Sequence, residues 1–158
     1  MVRPGVDYKD IHMQAHRNAG EILQKFGVIN VDAETAVKER ITSTFFPHGV
    51  GHYLGLQVHD VGGFSKNAEG ETIPKPEGHP FLRLTRVVEK NHVFTIEPGI
   101  YFIDTLLADL KKGNAAKHVN WSKVDSFRKF GGVRIEDDLV VNDGGHENLT
   151  RDEFAKQG

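Results

Sequence analysis

The sequence predicts an α+β fold, and three observations predict it. One long helical period occupies the start of the chain, the composition turns to glycine, histidine and β-branched residues after Thr44, and two apolar runs farther on are bounded by turn residues. At 158 residues, with 38% hydrophobic and 27% charged residues, the chain has the size and balance of one globular domain with a real core.

The helix is expected over Tyr8 to Phe26. Ile11, Ala15, Ala19, Ile22, Leu23 and Phe26 fall on one face of a 3.6-residue period, Asp7 is placed to cap the start, and Gly27 is placed just past the end. His12 and His16 are four apart on this helix, a spacing that can chelate a metal, although an exposed polar face is the expected role for them. Val28 to Val31 is short and apolar, and Asp32 is placed to cap a second helix running to about Arg40. Val93 to Ile103 and Gly132 to Asn142 read as strands. Between them Asp104 to Lys112 reads as a short helix with Leu106, Leu107 and Leu110 on one side, and Gly113 to Phe130 as a long polar and aromatic excursion around Trp121. Asn67 to His79, rich in proline, glycine and glutamate, reads as a surface loop, and Glu153 to Gly158 as a fraying end.

Composition excludes several classes of function. A net charge of −2 gives no electrostatic footprint for nucleic acid or an anionic membrane surface. The absence of cysteine excludes disulfides and thiolate metal sites. No run approaches a membrane span, and Met1 to Lys9 lacks the apolar core of a signal peptide, so a cytoplasmic location is expected.

The chemistry concentrates in Phe46 to Phe64, where His48, His52 and His59 lie among five glycines. Glycine lets a backbone turn sharply enough for side chains to converge, although a glycine-rich hairpin carrying ordinary polar histidines reads equally well from this segment alone. Two acidic residues in the strands shift that balance. Glu97 follows Phe94 and Ile96 and precedes the Pro98-Gly99 turn. Side-chain alternation puts Arg134 and Glu136 on one face, with Val133 and Ile135 on the other. A carboxylate beside apolar strand residues needs a cation or a donor. Arg134 alone could satisfy Glu136. Alternatively His52, Glu97 and Glu136 meet at one metal centre, and one imidazole with two carboxylates suits Mn, Fe, Co or Zn better than Ca or Mg.

HGVGHYLGLQVHD, TIEPGIYF and GGVRIEDD, in this order, resemble the Xaa-Pro dipeptidases (prolidases) of the creatinase/aminopeptidase family. TSTFFPHG, EGHPFLRLTR, HVNW and ENLTRD resemble the bacterial branch that includes the organophosphorus acid anhydrolases. The resemblance implies a pita-bread fold, a curved and mainly antiparallel sheet with helices on its outer face. It implies a dinuclear centre, Mn²⁺ by expectation, with two aspartates from a first half and a histidine and two glutamates from a second. His52, Glu97 and Glu136 are the implied last three. Glu97 and His59 are the implied catalytic residues, and His48, His59 and Arg134 are the implied substrate contacts.

The sequence departs from that pattern in one respect: no strand with paired aspartates precedes the first helix, and Asp7 and Asp10 sit at a helix start. The expectation is therefore the C-terminal part of a catalytic domain. Such a chain would hold at most one ion, lack turnover alone, and self-associate through the apolar face that the other half covers. The substrate implied is an Xaa-Pro dipeptide, with organophosphate triesters as a second implied class, and no nucleic-acid or membrane partner is expected. The alternative function is a non-catalytic metal-binding or interaction module of the same fold.

Overall fold

The computed structural model describes residues 1–157. Two compact units divide the chain: Met1–Met13, His48–Pro98 and Ile135–Gly158 form the first, Gln14–Pro47 and Gly99–Arg134 the second. Helix α1, Tyr8–Lys25, contributes its first turns to the first unit and the remainder to the second.

In the first unit β1 (Val93–Ile96), β4 (Asp137–Val141) and β5 (His146–Asn148) form an antiparallel sheet in the order β1-β4-β5. Val93 pairs with Val140 and Ile96 with Asp137. Phe94, Leu139 and Val141 are buried from this sheet, joined by Tyr8, Val50, Leu82, Leu84 and Val88. Tyr8 meets Phe94 edge to face, with ring centroids 5.1 Å apart. The turn between β4 and β5 is closed by the Asn142 side chain, whose Oδ1 accepts from the Gly144 and Gly145 N–H groups at 3.2 and 2.9 Å.

Helix α6 follows, over Leu149–Gln157. The fraying expected after Glu153 is not found up to Gln157, and Gly158 lies outside the described residues. Asn148 caps the helix by accepting the Arg151 N–H at 3.0 Å, and Arg151 pairs with Asp137 of β4, so the helix start is tied to the sheet. Asn67–His79 is largely exposed and carries no helix, as expected of a loop.

The second unit packs helices around one apolar cluster. Leu23, Val28, Ile29, Ala36, Ile41, Phe45, Leu107, Ala115, Val119 and Val124 form it. They come from the remainder of α1, α2 (Ala33–Lys38), α3 (Ile41–Phe45), α4 (Asp104–Lys112), α5 (Trp121–Arg128) and the segments between them, and Ile100 packs against them from the hairpin of β2 (Gly99–Tyr101) and β3 (Gly132–Arg134). Asp32 caps α2 as expected, its carboxylate accepting the Thr35 N–H at 2.8 Å. Gly27 takes the left-handed conformation (φ +69°) that ends α1. Gly113–Phe130 is more regular than the sequence suggests. It contains a 3-10 turn over Asn114–His118 and then α5, which Asn120 caps by accepting the Lys123 N–H at 3.1 Å. The Trp121 indole N–H is satisfied by the Ala116 carbonyl at 3.1 Å.

The α+β expectation holds, with every strand pair antiparallel. Each long predicted strand is interrupted, one between Ile96 and Gly99 and the other between Arg134 and Asp137. Pro98 lacks the N–H that a continuous ladder would use. Among the described residues no helix is long and apolar enough to cross a membrane.

One expectation for α1 is overturned. His12 and His16 are each only 1% exposed, so neither lies on a solvated polar face. His12 Nδ1 accepts the Val50 N–H at 3.3 Å, and its Nε2 lies 2.9 Å from His79 Nδ1. His16 Nδ1 lies 3.0 Å from the Thr42 hydroxyl, and its ring packs against Phe46. Hydropathy periodicity scores a histidine as polar, but an imidazole with partners at its nitrogens packs as a flat aromatic.

Candidate metal centre

The centre is built on the end of β1. Glu97 directly follows the strand and Glu136 directly precedes β4, while Ile96 pairs with Asp137. Continued by one residue, that antiparallel register sets Glu97 opposite Glu136, and directly opposed residues project from the same sheet face. The Ile135 N–H donates to the Pro98 carbonyl at 3.2 Å, which keeps the two chains together just beyond the carboxylates.

His52 comes from the segment on the other side of β1. The Thr95 N–H donates to the His52 carbonyl at 3.0 Å, the Leu54 N–H to Val93 at 3.2 Å, and the Glu97 N–H to Val50 at 2.7 Å. Gly51 makes this approach possible, because a Cβ there would stand 2.0 Å from the Thr95 carbonyl oxygen and 2.3 Å from the Tyr8 hydroxyl. His52 Nδ1 lies 2.9 Å from the Tyr53 carbonyl, an acceptor only, so Nδ1 donates there and Nε2 is the nitrogen turned towards Glu97. That Nε2 lies 3.1 Å from Glu97 Oε1. One ligand atom from each of His52, Glu97 and Glu136 lies within 4.8 Å of the others. His52 and Glu97 are buried at 2% and 7% exposure, and Glu136 faces solvent.

This donor set fits a divalent ion. Ligand atoms at about 2.0–2.2 Å from an ion, set near right angles, stand roughly 3 Å apart, as His52 and Glu97 do. A donor face closed on the protein side and open at Glu136 lets an ion enter from solvent.

The remaining sequence-selected residues are placed as follows. The His59 ring is exposed and meets the His52 ring edge to face, centroids 4.4 Å apart. Lost hydration, then the charges of His52 and Arg83, hold His59 below the ordinary histidine range against the opposing pull of Glu97 and Glu136. His48 is half-buried and donates from Nδ1 to the Gly49 carbonyl at 2.8 Å. Arg134 ends β3, paired in register with Gly99.

Two residues that sequence reasoning passed over complete the first unit's arrangement. The Thr95 hydroxyl donates to Glu97 Oε1 at 3.1 Å and accepts the His52 N–H at 3.1 Å. The Tyr8 hydroxyl donates to the Thr95 carbonyl at 2.8 Å, and burial, then the Glu97 charge, push its pKa well up, so it stays a donor. A signal for Thr95 was available, since a residue two before Glu97 on a strand shares its face.

Residues 1–143 match the profile of metallopeptidase family M24, and the chain belongs to that family. An Xaa-Pro dipeptidase of Colwellia psychrerythraea is 58% identical over 151 residues, covering 96% of this chain and 34% of that protein. One from Xanthomonas oryzae is 55% identical over 154 residues, covering 98% of this chain and 35% of that protein. The chain thus spans about a third of the length of the curated relatives it matches. Zinc-substituted Escherichia coli aminopeptidase P in complex with product superimposes with a TM-score of 0.63 at 28% identity, over 96% of this chain and 27% of that one. The low-pH form of the same enzyme gives 0.66 at 28% identity, with the same coverage. The pita-bread fold and the family expected from the sequence both hold.

Proposed function

We propose that this chain is the part of an Xaa-Pro dipeptidase that supplies His52, Glu97 and Glu136 as ligands of a divalent metal centre, with Mn²⁺ the expected ion. The observation that carries this reading is the convergence of one imidazole nitrogen and two carboxylates within 4.8 Å, on a chain 58% identical to a protein named for that activity. Bound divalent ions would supply Lewis acidity there, making water more acidic and a peptide carbonyl more electrophilic.

The chain's own residues have distinct parts in this reading. His52 offers Nε2 because its Nδ1 proton is committed to Tyr53. Glu97, buried and oriented by Thr95, accepts a proton from the attacking water and passes it to the leaving imino nitrogen. His59, held neutral, donates N–H to the oxygen that gains charge as the carbonyl is attacked. His48 and Arg134 take the substrate's terminal carboxylate, which favours dipeptides over longer chains. Hydrolysis of a phosphotriester would draw on the same groups, and the proposal extends to it.

Three donors hold one ion, whereas a dinuclear centre needs further bridging carboxylates. The chain alone is therefore expected to bind at most one Mn²⁺ or Zn²⁺ and to leave an Xaa-Pro dipeptide uncut. Calorimetry with each ion, beside a dipeptide assay, on this chain and on His52→Ala tests both statements. One site lost in His52→Ala supports the reading. Two tight sites, or turnover abolished by His52→Ala, would mean that the three-donor account is wrong. Ion binding unchanged in His52→Ala would remove the centre from these residues.

A further inference from the structure

We propose that Thr95 is the positioning residue of the metal centre: its single hydroxyl sets the separation of the His52 and Glu97 ligand atoms before any ion arrives. The proposal rests on the reading of His52, Glu97 and Glu136 as ligands.

A hydroxyl has one proton and two lone pairs, and here both capacities are spent on the two buried ligand residues. The proton goes to Glu97 Oε1 at 3.1 Å, and a lone pair takes the His52 N–H at 3.1 Å. The Thr95 main chain holds the same neighbour, because its N–H donates to the His52 carbonyl at 3.0 Å. His52 is therefore gripped on both sides of its backbone by one residue. Glu97 is fixed at its carboxylate by the hydroxyl and at its N–H by the Val50 carbonyl at 2.7 Å. Strand geometry makes the reach possible, since Thr95 and Glu97 are two residues apart and share a face.

Thr95 is itself held in place. It is fully buried, the Tyr8 hydroxyl donates to its carbonyl at 2.8 Å, and Gly51 lies close enough that any side chain there would strike that carbonyl. A threonine chosen only for shape would leave its hydroxyl to a nearby main-chain carbonyl, as Thr85 does with Ile73 at 3.0 Å. Thr95 instead spends its hydroxyl on the ligand residues. The consequence is preorganisation: with Glu97 Oε1 held 3.1 Å from His52 Nε2, less side-chain freedom remains to be lost when a cation enters.

Two substitutions separate positioning from shape. Thr95→Val keeps the branched shape and removes the hydroxyl. Thr95→Ser keeps the hydroxyl and removes the methyl. We expect Thr95→Val to weaken Mn²⁺ binding by about 10- to 100-fold in calorimetry, the range seen when groups that orient metal ligands are lost, and Thr95→Ser to stay within about 3-fold of the parent chain. Hydrogen exchange at the His52 amide supplies a readout that needs no ion. It should be slow in the parent and in Thr95→Ser, and fast in Thr95→Val while the amides of β1 keep their protection. Equal weakening in both variants, or unchanged binding in Thr95→Val, overturns the proposal. If the parent chain binds no Mn²⁺, the metal reading fails by itself. The His52 amide then decides the positioning claim, and retained protection in Thr95→Val, or loss of protection throughout β1, sinks it.

Discussion

The two units bury different kinds of side chain. In the second, the interior is aliphatic and aromatic, from Leu23 and Ile29 to Phe45 and Val124, with His16 and Thr42 as its buried polar residues. In the first, His12, His52, Thr85, Thr95 and Glu97 are buried alongside Tyr8 and Phe94. Burying a hydroxyl, an imidazole or a carboxylate costs free energy unless hydrogen bonds replace water, so these groups have to be held by specific partners. The second unit is thus specified mainly by volume, and the first by volume together with hydrogen-bond geometry. A ligand-binding centre belongs where polar atoms are already desolvated and fixed, and His52, Glu97 and Glu136 all lie in the first unit.

The comparison is broken most directly from the volume side. Phe45 is fully buried and meets Phe102 edge to face at 5.6 Å. Phe45→Ala should cost about 3–5 kcal/mol in urea unfolding, by lost transfer energy plus the cavity left behind. The Mn²⁺ affinity of the folded protein should stay near that of the parent. A small stability loss, or a fall in affinity among folded molecules, would mean that the units are not specified differently.

From the geometry side, the most sensitive position is Gly51. An added Cβ would stand 2.0 Å from the Thr95 carbonyl oxygen, closer than any non-bonded contact allows, and backbone cannot swing away as a side-chain tip can. Gly51→Ala should therefore push the His52 segment off β1. We expect a loss of about 1–3 kcal/mol, typical of overpacking, together with loss of measurable Mn²⁺ binding. Its contrast with Phe45→Ala sharpens the comparison, because the smaller stability effect should bring the larger binding effect. Retained Mn²⁺ affinity in Gly51→Ala would show that the segment has room the structure does not reveal.

What the sequence made legible follows the same division. The apolar period of α1 was readable because burial there is a matter of volume, and Ala19 and Leu23, in the second unit, are indeed buried. Ile22 and Phe26, at 45% and 57% exposed, depart from it because they line an open apolar cleft of about 370 Å³ in the second unit with Phe127, Phe130 and Val133. Periodicity reports which face is apolar and does not report whether anything covers it. The candidate ligands were legible as histidine among glycines and as glutamates at strand ends, and the structure brings His52, Glu97 and Glu136 together. Thr95 was legible only as a residue sharing the face of Glu97. A threonine in a strand is the commonest of signals, and only the fold shows that its hydroxyl meets two candidate ligand residues. The buried state of His12 was missed for the same reason, since its partners Val50 and His79 are distant in sequence.

The smallest effect is expected where a polar contact of the first unit reaches the surface, at Asp137 and Arg151. The guanidinium spans both carboxylate oxygens, with Nε 3.0 Å from Oδ2 and Nη2 2.9 Å from Oδ1, and the Asn148 amide donates to Oδ2 at 3.0 Å. Partial burial pushes the Asp137 carboxyl up, but the bonds from Arg151 and Asn148 outweigh it and hold the group below the ordinary aspartate value. The Arg151 side chain is 49% exposed, so solvent screens the pair, and Arg151→Ala should cost only about 0.5–1 kcal/mol at neutral pH. The sign of the pH dependence follows from the depressed folded pKa. Unfolded chains bind this proton first as pH falls, so the pair's contribution is complete above the ordinary value of about 3.9 and disappears as pH drops through the lower folded value. The stability gap between parent and Arg151→Ala should therefore be flat from neutral pH to about pH 5 and should close below about pH 4, as read from urea midpoints across that range. A gap that widened on acidification would reverse the assigned shift. A gap as large as that of Phe45→Ala would mean that polar contacts in the first unit carry stability on the scale of the second unit's core, and the contrast between the units would fail at its exposed edge.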